Sequence, residues 1–134
     1  MAVSWRRLLG ARLLIVDDDA HLCEILRLLL SLEGATAVVT CVTGQQAAAA
    51  SGYDGPFDIV LTDLGLPDIP GAVLIRQILA TAGRRPFVVV LTGSGDGEQA
   101  AARAAGANVI LTKPVQWTSL LAALSERQEP PAAA

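Results

Sequence analysis

Short apolar runs alternate along the chain with stretches of helical period. The runs are residues 13–16, 36–42, 57–62, 87–91 and 108–112. Continuous apolar runs of this length, bounded by turn residues, are the pattern of parallel strands covered on both faces. Between the first two, Leu22, Ile25, Leu26 and Leu29 recur at helical spacing, Glu24, Arg27 and Ser31 mark a wetter face, and Gly34 is placed as a stop. Residues 45–50 predict a short alanine-rich helix closed by the turn-prone stretch 51–56. A loop with Pro67, Pro70 and Gly71 leads into a helix over 72–82. Asp96 is the predicted N-cap of a helix running to Ala105 and stopped by Gly106, and residues 117–127 form the last helix. Each strand is followed by a helix, so the pattern predicts an α/β fold: a single doubly wound, five-stranded parallel sheet flanked by five helices, of the flavodoxin-like (βα)5 type. Residues 1–12 read as an N-terminal extension, 13–127 as the domain, and 128–134, with Pro130, Pro131 and three alanines, as a tail with no means of packing, expected to be disordered.

The chain has 134 residues, room for one domain, and 52% of them are hydrophobic, enough to fill a core without staples. Cys23 and Cys41 have no CxxC spacing and the chain holds one histidine, which points to two buried small hydrophobes and not to a zinc site or disulfide framework. A net charge of −3 with 4% aromatic residues argues against a nucleic-acid surface. No uncharged apolar stretch approaches the roughly 18 residues of a membrane span. Trp5, Arg6, Arg7, Leu8 and Leu9 superficially resemble a twin-arginine export signal, but Arg12 breaks the apolar stretch and Asp17, Asp18 and Asp19 stop it, so the expected location is the cytoplasm.

In an open parallel sheet, functional groups gather beyond the carboxyl ends of the strands. Asp17 and Asp18 follow the first strand, Asp63 the third, Thr92 the fourth and Lys113 the fifth. Three carboxylates on one edge need a cation, because a pair of like charges about 4 Å apart costs about 4 kcal/mol at an effective dielectric near 20. Lys113, the one lysine beside nine arginines, is a candidate. A hard divalent ion is another, since carboxylates, a backbone carbonyl and water suit magnesium.

In order and spacing, these residues resemble the receiver domains of two-component response regulators. The match rests on Ile15-Val16-Asp17-Asp18, on residues 58–67 around Asp63 with Gly71 beyond, on Leu91-Thr92, and on Thr112-Lys113-Pro114 preceded by Ala105-Gly106-Ala107. The resemblance implies that Asp63 accepts a phosphoryl group from a histidine kinase or a histidine phosphotransfer protein. It also implies that Mg2+, or Mn2+, is bound by Asp18, Asp63 and the carbonyl of Gly65 directly and by Asp17 through water. Lys113 and Thr92 would compensate and bond the phosphoryl oxygens. A phosphorylated receiver signals by a conformational change, to a downstream protein or by passing the phosphoryl group onward near the first helix and Pro114. Such a domain catalyses its own phosphorylation and dephosphorylation and turns over no separate substrate.

Two departures stand out. Many receivers have an aromatic residue three positions before the lysine, where this chain has Ile110, so the usual coupling of threonine movement to aromatic rotation cannot operate in its common form. The fourth helix, with Glu98 and Arg103 among alanines, lacks the charged dimer face of transcription-factor receivers. Small residues at Gly65 and Ser94, with Gly93 adding loop freedom, predict easy access of water and a short-lived phosphoform. Asp19 is expected to cap the first helix and His21 to face water. Trp5, Leu8 and Leu9, at i, i+3, i+4, predict a short arm packed on its own domain, with contact to a partner as the competing reading. The alternatives to a phosphorylatable receiver are a degenerate receiver used only as a binding module and a Mg-dependent phosphatase. The phosphatase lacks a second aspartate two residues after Asp63, where Gly65 stands, and no Walker loop exists.

Overall fold

A computed structural model describes residues 8–93 and 95–127. Five strands and five helices alternate: β1 Arg12–Val16, α1 Ala20–Leu32, β2 Ala37–Cys41, α2 Gly44–Tyr53, β3 Ile59–Thr62, α3 Gly71–Thr81, β4 Phe87–Thr92, α4 Asp96–Ala105, β5 Val109–Thr112 and α5 Trp117–Ser125. All pairings are parallel and the strand order is β2-β1-β3-β4-β5. The chain leaves β1 toward one edge and returns to β3 on the other side, so the direction of winding reverses between β1 and β3, where a crevice opens at the carboxyl ends.

Side chains alternate across each strand and so divide the core in two. Leu14, Val16, Val60, Val88 and Val90 face α2, α3 and α4 through Ala47, Leu74, Ile75, Ile78, Ala102 and Ala105. Leu13, Ile15, Ile59, Leu61, Val89 and Leu91 face α1 and α5 through Leu26, Leu30, Leu120 and Leu124. Cys23 belongs to the second layer and Cys41 to the first; both are free.

Several local expectations are corrected. The buried stripe of α1 is Cys23, Leu26 and Leu30, whereas Ile25 is 53% exposed. Seven of the helix's thirteen residues are Leu or Ile and spread well beyond the side opposite Glu24, Arg27 and Ser31, so periodicity alone does not choose its inner face. Helix α2 runs on through Ser51 and Gly52 to Tyr53, because Asp54 N–H still bonds back to the carbonyl of Ala50. The N-cap of α4 is Gly95, and Asp96 is the first helical residue, where its charge still faces the positive end of the helix. Strands β2 and β3 are shorter than the apolar runs that contain them, and α5 ends at Ser125.

Residues 8–11 belong to the body of the fold. Leu8 is fully buried in the α1–α5 layer, its N–H bonds the carbonyl of Glu33, and Thr36 N–H bonds the carbonyl of Ala11. The packed arm is therefore seen for Leu8, while Leu9 is 67% exposed. Trp5, Ser94 and the tail 128–134 lie outside the described residues.

Candidate functional site

The site is built at the reversal point. Strand β1 ends in Val16, after which Asp17 N–H bonds the carbonyl of Cys41 and Asp63 N–H bonds the carbonyl of Val16. These two ladder bonds bring the carboxylates that follow β1 and β3 side by side. One carboxylate oxygen each from Asp17, Asp18 and Asp63 lie within 4.8 Å of one another; Asp17 and Asp63 are buried and Asp18 is exposed. Strand β5 delivers the cation: Lys113 N–H bonds the carbonyl of Thr92, and the side chain crosses the crevice to Asp17 Oδ2 at 2.7 Å and Asp63 Oδ2 at 3.1 Å. Desolvation presses the Lys113 pKa down, but the hydrogen bonds and charges of Asp17 and Asp63 outweigh it and raise it above 10.5.

The other carboxylate oxygen of Asp17 and of Asp63 also has backbone partners. Asp63 Oδ1 accepts from Leu64 N–H at 2.7 Å and Gly65 N–H at 3.2 Å. Asp17 Oδ1 accepts from Asp19 N–H at 2.9 Å. Asp19 caps α1, accepting from His21 and Leu22 N–H, and His21 is exposed, both as expected. Thr92 is fully buried at the end of β4, in register with Thr112 next to Lys113. The structure thus brings Asp17, Asp18, Asp63, Thr92 and Lys113 to one sheet edge, with Gly65 exposed two residues beyond Asp63 and open space where its Cβ would be.

The donor set fits a hard divalent cation. All its atoms are carboxylate or carbonyl oxygens, and three carboxylates against one ammonium leave an excess of negative charge that a dication neutralises. Beside the crevice an apolar groove of about 640 Å³ is lined by Leu22, Ile25, Leu29, Pro114, Trp117 and Leu120, and Lys113 is part of its wall. Ile110 is half-buried and packs against the α2–α4 layer, where it offers no aromatic ring to turn.

One residue escaped the reading of the sequence. Asp68 reaches from the loop after β3 to the first amides of α2, accepting from Gly44 N–H at 2.8 Å and Gln45 N–H at 2.7 Å. The contact spans 24 and 23 positions, and local pattern carries no signal of it.

An acidic crevice at the β1/β3 reversal, crossed by a lysine from the last strand of a five-stranded (βα)5 sheet, defines a doubly wound α/β domain with a charge-compensated carboxylate site. Comparison with known proteins narrows this. The model of the response regulator receiver domain matches residues 13–125, and the chain belongs to that family. It is 31% identical over 113 residues to the regulatory protein VanRB of Enterococcus faecalis, covering 84% of this chain and 50% of that protein. The chain spans about half the length of the curated relatives it matches. A CheY-like receiver domain protein from Methanospirillum hungatei superposes with a TM-score of 0.81 at 27% identity, covering 87% of this chain and 92% of that one. The receiver domain of a sensor histidine kinase from Pseudomonas aeruginosa, which has a magnesium ion in its active-site cleft, superposes with a TM-score of 0.76 at 28% identity, covering 88% and 97%. No helix among the described residues is long and apolar enough to cross a membrane.

Proposed function

We propose that this receiver domain accepts a phosphoryl group on Asp63 from a phosphohistidine of a histidine kinase or phosphotransfer protein. The observation that carries the reading is the placement of a buried aspartate between a lysine ammonium and two further carboxylates, at the reversal point of the sheet.

Asp63 Oδ2 attacks phosphorus, an O–P bond forms, and the P–N bond to the donor imidazole breaks; the imidazole nitrogen keeps the electron pair and is protonated. Phosphoryl transfer asks little of the protein beyond alignment and charge compensation. The amides of Leu64 and Gly65 hold Oδ1 and so orient the acceptor. Lys113, already between Asp17 and Asp63, follows the charge to the phosphoryl oxygens, and the Thr92 hydroxyl bonds another. Asp18, Asp63 and the carbonyl of Gly65 would hold Mg2+ directly and Asp17 through water; the ion supplies Lewis-acid neutralisation of the transferring group. The apolar groove beside Lys113 suits a partner presenting an apolar surface around its histidine.

Open space around Gly65 leaves the acyl phosphate accessible to water, and the phosphoform decays without a separate enzyme. The domain's place is in the cytoplasm, where such donors act. Intact mass after incubation with Mg2+ and acetyl phosphate tests the reading. One added phosphoryl group, lost in Asp63→Asn and in EDTA, is expected. Absence of the adduct together with absence of beryllofluoride binding overturns it in favour of a binding module that is not phosphorylated.

A further inference from the structure

The loop between Asp63 and α3 carries the carbonyl assigned to the metal; Leu66 and Ile69 pack its middle against the α2–α4 layer, but few hydrogen bonds fix its backbone. At its start, the Asp63 carboxylate bonds Leu64 and Gly65 N–H. At its end, Gly71 N–H bonds the carbonyl of Leu64. Between these lie an exposed glycine with nothing within 4 Å of its missing Cβ, and a proline without an N–H. Among the described residues, the side chain that ties this interval by hydrogen bonds is Asp68. Its two oxygens take Gly44 N–H and Gln45 N–H, the first two orphan donors of α2, and Oδ1 also takes Ile69 N–H at 3.0 Å.

The attachment is more than a spare cap. Helix α2 already has its own: Thr43 Oγ1 accepts from Gln46 N–H at 3.1 Å, and Gln46 Oε1 accepts from Val42 N–H at 2.9 Å, a variant of the capping box that reaches one residue before the cap. Asp68 binds donors which that box leaves free. The packing agrees, since a Cβ on Gly44 would lie 2.4 Å from the Ile69 side chain, so the loop is seated directly on the helix start. Burial presses the Asp68 pKa up, but the amides of Gln45, Gly44, Asp68 and Ile69 outweigh it and hold the carboxyl below its ordinary value, as expected for an anion on a helix N-terminus.

We infer that Asp68 is a positioning residue for the phosphoacceptor site: by clamping the β3–α3 loop to the N-terminus of α2, it holds the carbonyl of Gly65 where a divalent cation bound by Asp18 and Asp63 can use it. The inference rests on the phosphoacceptor reading and adds a residue that touches neither metal nor phosphoryl group. Outer partners of metal ligands commonly change metal affinity by 10–100-fold, and a residue acting through a backbone segment belongs at the lower end.

The test compares the wild type with Asp68→Ala, Asp68→Asn and Thr43→Ala, each checked for a folded circular dichroism spectrum. The readouts are the Mg2+ dissociation constant by calorimetry and amide hydrogen exchange at Gly44, Gln45 and Gly65. Asp68→Ala is expected to weaken Mg2+ binding about tenfold and to speed exchange at all three amides. Asp68→Asn, with one acceptor oxygen left, falls between. Thr43→Ala lowers the melting temperature by removing a cap from the same helix, but leaves the Mg2+ constant within about twofold of wild type. Wild-type affinity in Asp68→Ala, or equal weakening in Thr43→Ala, overturns the inference and leaves the phosphoacceptor reading standing. A wild type that binds no Mg2+ overturns both.

Discussion

Replacing Lys113 by methionine removes the one ammonium from a crevice that keeps three carboxylates. The ion pairs measure 2.7 and 3.1 Å, the Asp17 and Asp63 side chains are 3% and 11% exposed, and the lysine side chain is 28% exposed. At an effective dielectric near 20 each pair attracts by about 5–6 kcal/mol before desolvation is subtracted. Removing one partner of a buried pair costs about 3–5 kcal/mol, because the other charge stays buried alone. Water around the lysine screens part of this, so the expected loss is about 2–3 kcal/mol at pH 7.5 in EDTA. Urea unfolding followed by far-ultraviolet circular dichroism measures it. A further feature identifies the cause. Mg2+ restores more stability to the variant than to wild type, since the competing ammonium is gone; at 100 times the dissociation constant such binding contributes about 2.7 kcal/mol. A loss under about 0.5 kcal/mol in EDTA, or equal stabilisation of variant and wild type by Mg2+, would refute the account of the crevice as a charge-compensated cluster.

At the alkaline end the contribution of the same lysine is lost. Its folded pKa lies above 10.5, so the stability it supplies is full below about pH 10.5 and is lost as pH rises through the folded value; wild type should lose more stability than Lys113→Met as pH is raised above about 10.5. Leu8→Ala should cost about 2–4 kcal/mol by leaving a cavity in the α1–α5 layer, whereas Leu9→Ala changes urea stability by less than about 0.5 kcal/mol. Gly71→Ala places a Cβ 2.6 Å from Leu64 Cα and 2.8 Å from the Asp63 carbonyl oxygen. It should cost about 1–3 kcal/mol in the same assay and shift the resonance of Asp63 N–H.

What the sequence disclosed follows from how each feature is encoded. The strands were legible because both faces of a central parallel strand are buried: Leu13 to Val16 and Ile59 to Leu61 admit no polar side chain. The residues of the crevice were legible because each stands at, or within two residues of, the carboxyl end of a strand, where topology leaves no choice of location. The inner face of α1 was not, because seven of its thirteen residues are Leu or Ile and the choice among them is made by the sheet it meets. Nor was the role of Asp96, since either of two adjacent residues can begin that helix. Asp68 was silent for a different reason: its partners are amides, present at every position, and only the folded chain selects Gly44 and Gln45.

The chain holds its single lysine in the crevice, with nine arginines elsewhere. To an amine-directed reagent the protein therefore offers one side-chain target. A raised pKa and contact with two carboxylates make that ε-amine slow to react, and whatever draws those carboxylates away changes its rate. One acylation site thus reads out the state of the crevice in unlabelled protein, and loss of the lysine's charge, by reagent or by enzymatic acetylation, falls wholly on the acidic cluster.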